Sequence, residues 1–308
     1  EAWGVEAAVR RFVGMFAIAL WDRRECILHL VRDRMGVKPM YYGRAGGLFL
    51  FGSELKALRA HPAFTPQVDR DALALFFRHL DVPTPYSIYK GIRKLVPGTI
   101  LSLRPGQPEL PAPVPYWSVR EVAQQGQANP FTGDQEEAAD RLDELLRDAV
   151  GQRMVADVPL GAFLSGGIDS SIVVALMQAQ SERPVNTFTI GYQDILFDEA
   201  AHARDVARHL GTAHTELVVT PGDALAVIPR LPMLYDEPFS DVSQIPSFLV
   251  ASMARRHVIV VLSGDGGDEV FGGYNRHFWA PALYNRIRRW PMATRKFAAA
   301  GMTALSPA

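Results

Sequence analysis

One cysteine, Cys26, stands in 308 residues. That excludes an intramolecular disulfide framework and any multi-cysteine zinc site, and a reducing, cytoplasmic setting is expected. Charge of one sign is also missing: 32 Lys and Arg against 33 Asp and Glu leave a formal net charge of −1. So balanced a chain carries no electrostatic footprint for nucleic acid or an anionic membrane surface, and neither is an expected partner. No apolar run reaches the roughly 18 residues of a membrane span. The longest, Phe12 to Trp21, is followed by Asp22, Arg23 and Arg24 rather than a small-residue cleavage site, and reads as a buried strand. There is no GxxxxGK(S/T) phosphate loop, no GxGxxG after a strand, no HExxH pair and no internal repeat.

What is present is ordinary globular material, 48% apolar and 21% charged, in a length that suggests about two domains. The first part is strand-rich. Met15–Asp22 and Cys26–Asp33 are short apolar runs with a tight polar break, the pattern of a hairpin, with Cys26 a small buried residue inside the second strand. Gly47–Glu54 reads as a further strand, Ser53–His61 as a helix capped by Ser53, and Asp69–Leu80 as another helix. Arg32, Asp33 and Lys38 are expected to hold a loop or a domain interface. Pro105–Pro115 carries five prolines in eleven residues, a composition fit for a surface connection rather than a central strand. A boundary just beyond it, near Trp117, divides the chain into residues 1–118 and 119–308.

Beyond that point the pattern alternates. Asp134–Met154 has helical periodicity, with Ala138, Leu142, Leu145, Leu146, Ala149 and Val150 on one face. Strand candidates Val158–Leu164, Asn186–Tyr192 and His257–Leu262 alternate with helix candidates Ser170–Gln180, Asp198–Leu210 and Gln244–Arg256. Continuously apolar strands alternating with helices predict a parallel sheet covered on both faces, with ligands beyond the carboxyl ends of the strands.

Two glycine-rich loops fall where that rule puts a ligand. SGGIDSS, Ser165–Ser171, joins a strand to a helix. Gly166 and Gly167 let the backbone bend and approach a ligand, and successive N–H groups at the helix start can hold phosphate. Ser165, Ser170 and Ser171 add hydroxyls. Asp169 sits badly beside a polyphosphate unless a cation lies between them, and its oxygens suit Mg²⁺. The plainer reading is a strand–turn–helix connection capped by Asp169 or Ser170. SGDGGDE, Ser263–Glu269, packs Asp265, Asp268 and Glu269 into one turn, and such carboxylates repel unless a cation or cationic group compensates. Tyr235–Phe248 holds Asp236, Glu237, Asp241 and Ser243, which read as a helix cap plus a solvated acidic stretch.

SGGIDSS resembles the PP-loop of ATP pyrophosphatases. With VPLGAFL before it, and with TFTIGY, FDEAAHARDVARHLGTAH, YDEPFSD and LSGDGGDEVFGGY, it closely resembles the synthetase domain of glutamine-dependent asparagine synthetases of the B type. FVGMFAIALWD, VRDRMGVKPMYYG and FGSELKAL resemble the later part of their class-II glutamine amidotransferase domain. The resemblance runs to about Tyr274. It implies an α/β, parallel-sheet PP-loop domain of the adenine nucleotide alpha hydrolase-like type, preceded by part of an α+β N-terminal-nucleophile glutaminase domain. It also implies a ligase reaction: aspartate attacks the α-phosphate of ATP, pyrophosphate leaves, and ammonia, free or from glutamine, converts β-aspartyl-AMP to asparagine and AMP. Carried over by position, Leu164 and Ile190 line the nucleotide site, Ser165, Gly166, Gly167, Ser170 and Ser171 bind pyrophosphate, and Ser263 and Gly264 contact nucleotide. Asp169 and Asp268 hold Mg²⁺, and Asp265 is the catalytic acidic residue beside the reacting carboxylate. Some family members carry Glu at the Asp265 position, which alters reach by one methylene.

The expected small-molecule partners are aspartate, glutamine or ammonia, and ATP, and a homodimer is an assembly the resemblance allows. The family's N-terminal cysteine and glutamine-binding Asn-Gly-Glu stretch have no counterpart here, and Glu1 opens the chain. The sequence therefore reads as an internal fragment of a longer enzyme, without glutaminase activity of its own. Two alternatives stay open: adenylation of a different carboxylate, as in related amidotransferases or β-lactam synthetases, and a truncated, non-catalytic nucleotide-binding module.

Overall fold

The computed structural model describes residues 2–192 and 199–304, and the chain divides into two compact units, residues 1–138 with 222–245, and residues 139–221 with 246–308. The first unit opens with α1 (Val5–Arg11) and the strands β1 (Ala17–Asp22), β2 (Ile27–Arg32), β3 (Tyr41–Ala45) and β4 (Leu48–Gly52). Helices α2 (Leu55–Arg59) and α3 (Arg70–His79) follow, then β5 (Ile92–Lys94), β6 (Thr99–Leu103), β7 (Val114–Pro115) and α4 (Val119–Ala128). The strands form two antiparallel sheets, ordered β1-β2-β6-β7 and β4-β3-β5. The expected β1–β2 hairpin is present, with Ala17 opposite Arg32 and Asp22 opposite Ile27. The proline-rich stretch ends in β7, paired at an edge where lost N–H donors cost little.

Several local expectations for this part need correcting. β1 is an edge strand, and Leu20 and Trp21 are 43% and 47% exposed, so Phe12–Trp21 is not a buried strand. Cys26 is exposed in the β1–β2 turn with φ +51°, not buried in a strand. α2 begins after Glu54 and takes no cap from Ser53 or Glu54. α3 does start from Asp69, whose carboxylate accepts the Asp71 and Ala72 N–H groups, and it ends on a left-handed Leu80. Arg32 donates to the Gly36, Lys38 and Leu95 carbonyls, and Asp33 accepts the Val37 and Lys38 N–H groups, so these two hold a loop.

The second unit starts on α5 (Gln135–Met154) and runs β8 (Leu160–Phe163), α6 (Ile168–Ala179), β9 (Asn186–Tyr192), α7 (Ala200–Leu210) and β10 (Ala213–Val219). The chain then makes α8 (Pro221–Val227) and α9 (Leu231–Leu234), which group with the first unit. It returns through α10 (Gln244–Ala254), β11 (Val260–Leu262), α11 (Gly267–Phe271), α12 (Arg276–Ile287) and α13 (Met292–Ala304). The four strands make a wholly parallel sheet in the order β10-β9-β8-β11. Side chains alternate across it. Leu160, Ala162 and Leu164 pack with Val174, Met177 and Ala203 of α6 and α7, while Phe163 and Phe188 pack with Met253, Ala254 and Val261 on the other face.

Both faces are thus covered, as expected for apolar parallel strands. β10 was not among the predicted strands, because AHTELVV carries His214, Thr215 and Glu216 in a row, which interrupts the apolar pattern. Only the last turns of α5 pack on the core, through Leu146, Val150 and Met154, and Leu142 and Leu145 stay exposed. Asp198, the predicted start of α7, lies outside the described residues.

Candidate functional site

β8 leads through α6 to β9 and through α7 to β10 on one side, whereas β11 adds on the other side of β8. The strand order therefore reverses between β8 and β11, the position where doubly wound sheets bind ligands. Both glycine-rich loops leave the sheet there. Ser165–Gly167 follow β8 and Ser263–Gly266 follow β11.

The first loop is built by its own hydroxyls. The Ser165 N–H donates to Ser170 Oγ at 3.2 Å, the two hydroxyl oxygens lie 3.0 Å apart, and the Gly167 N–H donates to Ser165 Oγ at 3.3 Å. Gly166 has φ +81°, and a Cβ there would lie 2.7 Å from the Ala203 nitrogen of α7, so close approach as well as conformation calls for glycine. Gly167 is the N-cap of α6 and has no side chain to cap the helix's first-turn N–H groups. Those donors, together with the positive end of the helix dipole, are what an anion needs. Ser170 is buried, and Ser171 Oγ is buried with no hydrogen-bond partner among the described residues.

The second loop lies against the first. A Cβ on Gly264 would sit 2.7 Å from the Ser170 nitrogen and 2.9 Å from the Asp169 carbonyl carbon, and one on Gly267 would collide with the Asp169 carboxylate. The loops approach backbone to backbone because these positions lack side chains. Ser263 Oγ donates to Asp265 Oδ2 at 3.0 Å. Asp268 starts α11 with its carboxylate against Gly273. The Tyr274 hydroxyl donates to Glu269 Oε1 at 2.6 Å, which lowers the Glu269 carboxyl below its ordinary range and raises the Tyr274 phenol.

The structure therefore brings Ser165, Gly166, Gly167, Asp169, Ser170, Ser263, Gly264 and the start of α11 to one sheet edge. Leu164 is buried under the first loop, and Ile190 lies near the carboxyl end of β9, so both belong to the strands that end there. Among the described residues, no ion pair involves Asp169, Asp265 or Asp268. No cluster of three or more His, Cys, Asp or Glu forms a ready metal cage among them either. Carboxylates on two touching loops fit Mg²⁺, which is typically held by one or two carboxylates with phosphate oxygens and waters completing the shell.

A further cluster lies in the first unit. Asp236 accepts the Leu55 N–H at 2.6 Å and so supplies the cap that α2 lacks locally. Glu237 accepts the Ile88 N–H at 2.8 Å and the Tyr41 hydroxyl at 3.3 Å, and pairs with Lys94 Nζ at 2.5 Å. Burial and the Glu237 charge push the Tyr41 phenol strongly up. The expected solvated acidic stretch is thus wrong for Glu237, whose side chain is 8% exposed. Asp241 does turn the chain ahead of α10, accepting the Ser243 N–H at 2.7 Å. Nothing local in YDEP signals the buried pair, because its partners lie about 150 residues earlier. Two open cavities of about 410 and 350 Å³ flank Asp236. The carboxylates on their walls, Asp236 and Glu237, are already engaged by protein donors.

Residues 141–306 match the Asparagine synthase family and residues 1–117 a glutamine amidotransferase domain. A Methanocaldococcus jannaschii protein provisionally named glutamine-hydrolyzing asparagine synthetase 2 is 39% identical over 272 residues, covering 87% of this chain and 51% of that protein. The Bacillus subtilis glutamine-hydrolyzing asparagine synthetase 1 is 31% identical over 291 residues, covering 94% of this chain and 44% of that protein. A Penicillium rubens protein named amidase chyE is 31% identical over 297 residues, covering 90% of this chain and 42% of its own. The chain spans about half the length of these relatives. With the parallel-sheet unit under most of the first match and the antiparallel unit under all of the second, this chain belongs to the asparagine synthase family.

Proposed function

We propose that the parallel-sheet unit is the adenylating part of an ATP-dependent synthetase that makes asparagine from aspartate, with glutamine or ammonia as nitrogen source. An aspartate carboxylate oxygen bonds to the α-phosphorus of ATP, the bond to the β-phosphate oxygen breaks, and pyrophosphate leaves. Ammonia then bonds to the acyl carbon of β-aspartyl-AMP, the bond to AMP breaks, and a proton is released.

The residues divide the work by position. The N–H groups at the start of α6 and the hydroxyls of Ser165, Ser170 and Ser171 receive the β- and γ-phosphates, where charge accumulates as pyrophosphate departs. Gly166 and Gly167 admit the phosphates, and Ser263 and Gly264 close the opposite side. Leu164 and Ile190 line the nucleotide. Asp169 and Asp268 would hold Mg²⁺, which would supply positive charge beside the departing pyrophosphate. Asp265, oriented by Ser263 Oγ, stands beside the reacting carboxylate. Residues 1–118 form the later part of the glutamine-hydrolysing half and 119–308 the synthetase part.

The observation that carries this reading is the direct contact of two glycine-rich, acid-bearing loops at the reversal of strand order. Its test is product analysis of the intact enzyme with ATP, Mg²⁺, aspartate and ammonium. AMP and pyrophosphate in equal amounts with asparagine are expected, and ADP in place of AMP overturns the reading. A second reading is adenylation of another carboxylic acid by the same loops. Pyrophosphate release with a different acid and none with aspartate would select it.

A further inference from the structure

Of the three carboxylates in Ser263–Glu269, Asp265 accepts the Ser263 hydroxyl, and the other two are neighbours in the first turn of α11. α11 has only five residues, and the corner that ends it folds back over that turn. Gly272 caps the helix in the left-handed region at φ +71°, and its N–H donates to the Asp268 carbonyl. The Gly273 N–H donates to the same carbonyl at 3.0 Å. This longer bond is that of a Schellman turn, whose two ends are frequently joined by an apolar side-chain contact. Here one end is glycine and the other aspartate. The space beside Gly273 is filled by the Asp268 carboxylate instead, and a Cβ on Gly273 would collide with Asp268 Oδ1. Gly273 does not lie in the left-handed region, so its backbone alone does not call for glycine. The carboxylate does.

The corner is fastened one residue further on. The Tyr274 hydroxyl donates to Glu269 Oε1 at 2.6 Å, a short bond to a charged acceptor and so one of the stronger kinds. The Tyr274 ring lies 4.1 Å from the Arg276 guanidinium and stacks on His277 at 6.0 Å, which ties it to the first turn of α12. A turn that only had to join α11 to α12 would need neither this bond nor the second glycine. Glu269 is engaged in closing the turn, while Asp268 forms no ion pair among the described residues.

We propose that Gly273 and Tyr274 are positioning residues for Asp268. Gly273 leaves the space that the carboxylate fills, and Tyr274, held to Glu269, keeps the turn closed beside it, so the carboxylate is fixed in one rotamer before a cation arrives. The proposal rests on the reading of Asp268 as a Mg²⁺ ligand of the ATP site. Altering groups that orient a metal's ligands typically costs about 10–100-fold in metal affinity.

Titration of the intact enzyme with Mn²⁺ in the presence of pyrophosphate, followed by the electron paramagnetic resonance of free Mn²⁺, tests it without turnover. Gly273→Ala is expected to weaken Mn²⁺ binding about tenfold or more, and the milder Tyr274→Phe to weaken it by less. The Mg²⁺ concentration that gives half-maximal pyrophosphate release should rise in step, with kcat at saturating Mg²⁺ and the KM for aspartate near wild type. In an Asp268→Ala background, Gly273→Ala should add little, because the group it displaces is gone. Unchanged Mn²⁺ affinity in either single variant overturns the role given to that residue. An equal loss in the Asp268→Ala background overturns the proposal, because it would mean general damage to the loop. A wild type that binds Mn²⁺ but forms no AMP would overturn the ATP reading alone, while the titration would still decide the positioning role.

Discussion

Two sets of acidic groups, one in each unit, are treated in opposite ways. In the first, Asp33, Asp236 and Glu237 are saturated by protein donors: backbone N–H groups for all three, and Lys94 and Tyr41 in addition for Glu237. In the second, Asp169, Asp265 and Asp268 gather at the ends of β8 and β11 with no ion pair among the described residues. A carboxylate fully used by the protein contributes to the fold, whereas one left without a protein cation at a strand end is available to a ligand. The contrast separates acidic residues that hold the structure from those that serve chemistry, which composition alone cannot do.

Four measurements would break or sharpen that contrast. Lys94→Met should be the most damaging to stability, because it leaves Glu237 nearly buried and unpaired. A loss of about 3–5 kcal/mol is expected from denaturant unfolding, mostly recovered when Glu237→Leu is added. A small loss from Lys94→Met alone would place Glu237 with the available carboxylates. Asp169→Asn and Asp268→Asn should do the reverse. Each is expected to lower pyrophosphate release on the order of 10²–10³-fold while leaving the circular dichroism spectrum and unfolding midpoint near wild type.

Gly264→Ala tests the contact of the loops. Its new methyl would meet the backbone of Asp169 and Ser170, a strain of about 1–3 kcal/mol, visible as a lower melting temperature and weaker ATP binding. Unchanged values would show that the loops can separate freely.

The smallest effect concerns pH. His214 donates or accepts through Nδ1 with Thr187 at 2.9 Å, and burial lowers its pKa from the ordinary 6.5. The folded chain then binds this proton less readily than the unfolded one. The stability the neutral ring contributes is complete above pH 6.5 and is lost as pH falls through the lowered value. Unfolding free energy should fall as pH is lowered through and below 6.5, by less in His214→Leu.

Much of the second unit was legible in the chain. Continuous apolar strands, helix periodicity and two glycine-rich turns are local signals, and they led to β8, β9, β11 and both loops. Less could be read where the deciding partner is distant. The cap of α2 comes from Asp236, not Ser53, and no window around Ser53 contains it. Glu237 looks like any exposed acid until Lys94, Tyr41 and Ile88 surround it. Cys26 sits at a turn because the hairpin reverses one residue later than the apolar run suggests. β10, at the sheet edge, carries His214, Thr215 and Glu216 in a row, which interrupts the apolar pattern.

The sequence by itself determined the two chemistries of backbone, antiparallel then parallel, and the residues of both glycine-rich loops, because these depend on patterns a few residues long. Only the tertiary structure decided which carboxylates are consumed in holding the fold and which stand together at the reversal of strand order. That outcome depends on partners brought near from far along the chain, and on how much water is left around each charge when they meet.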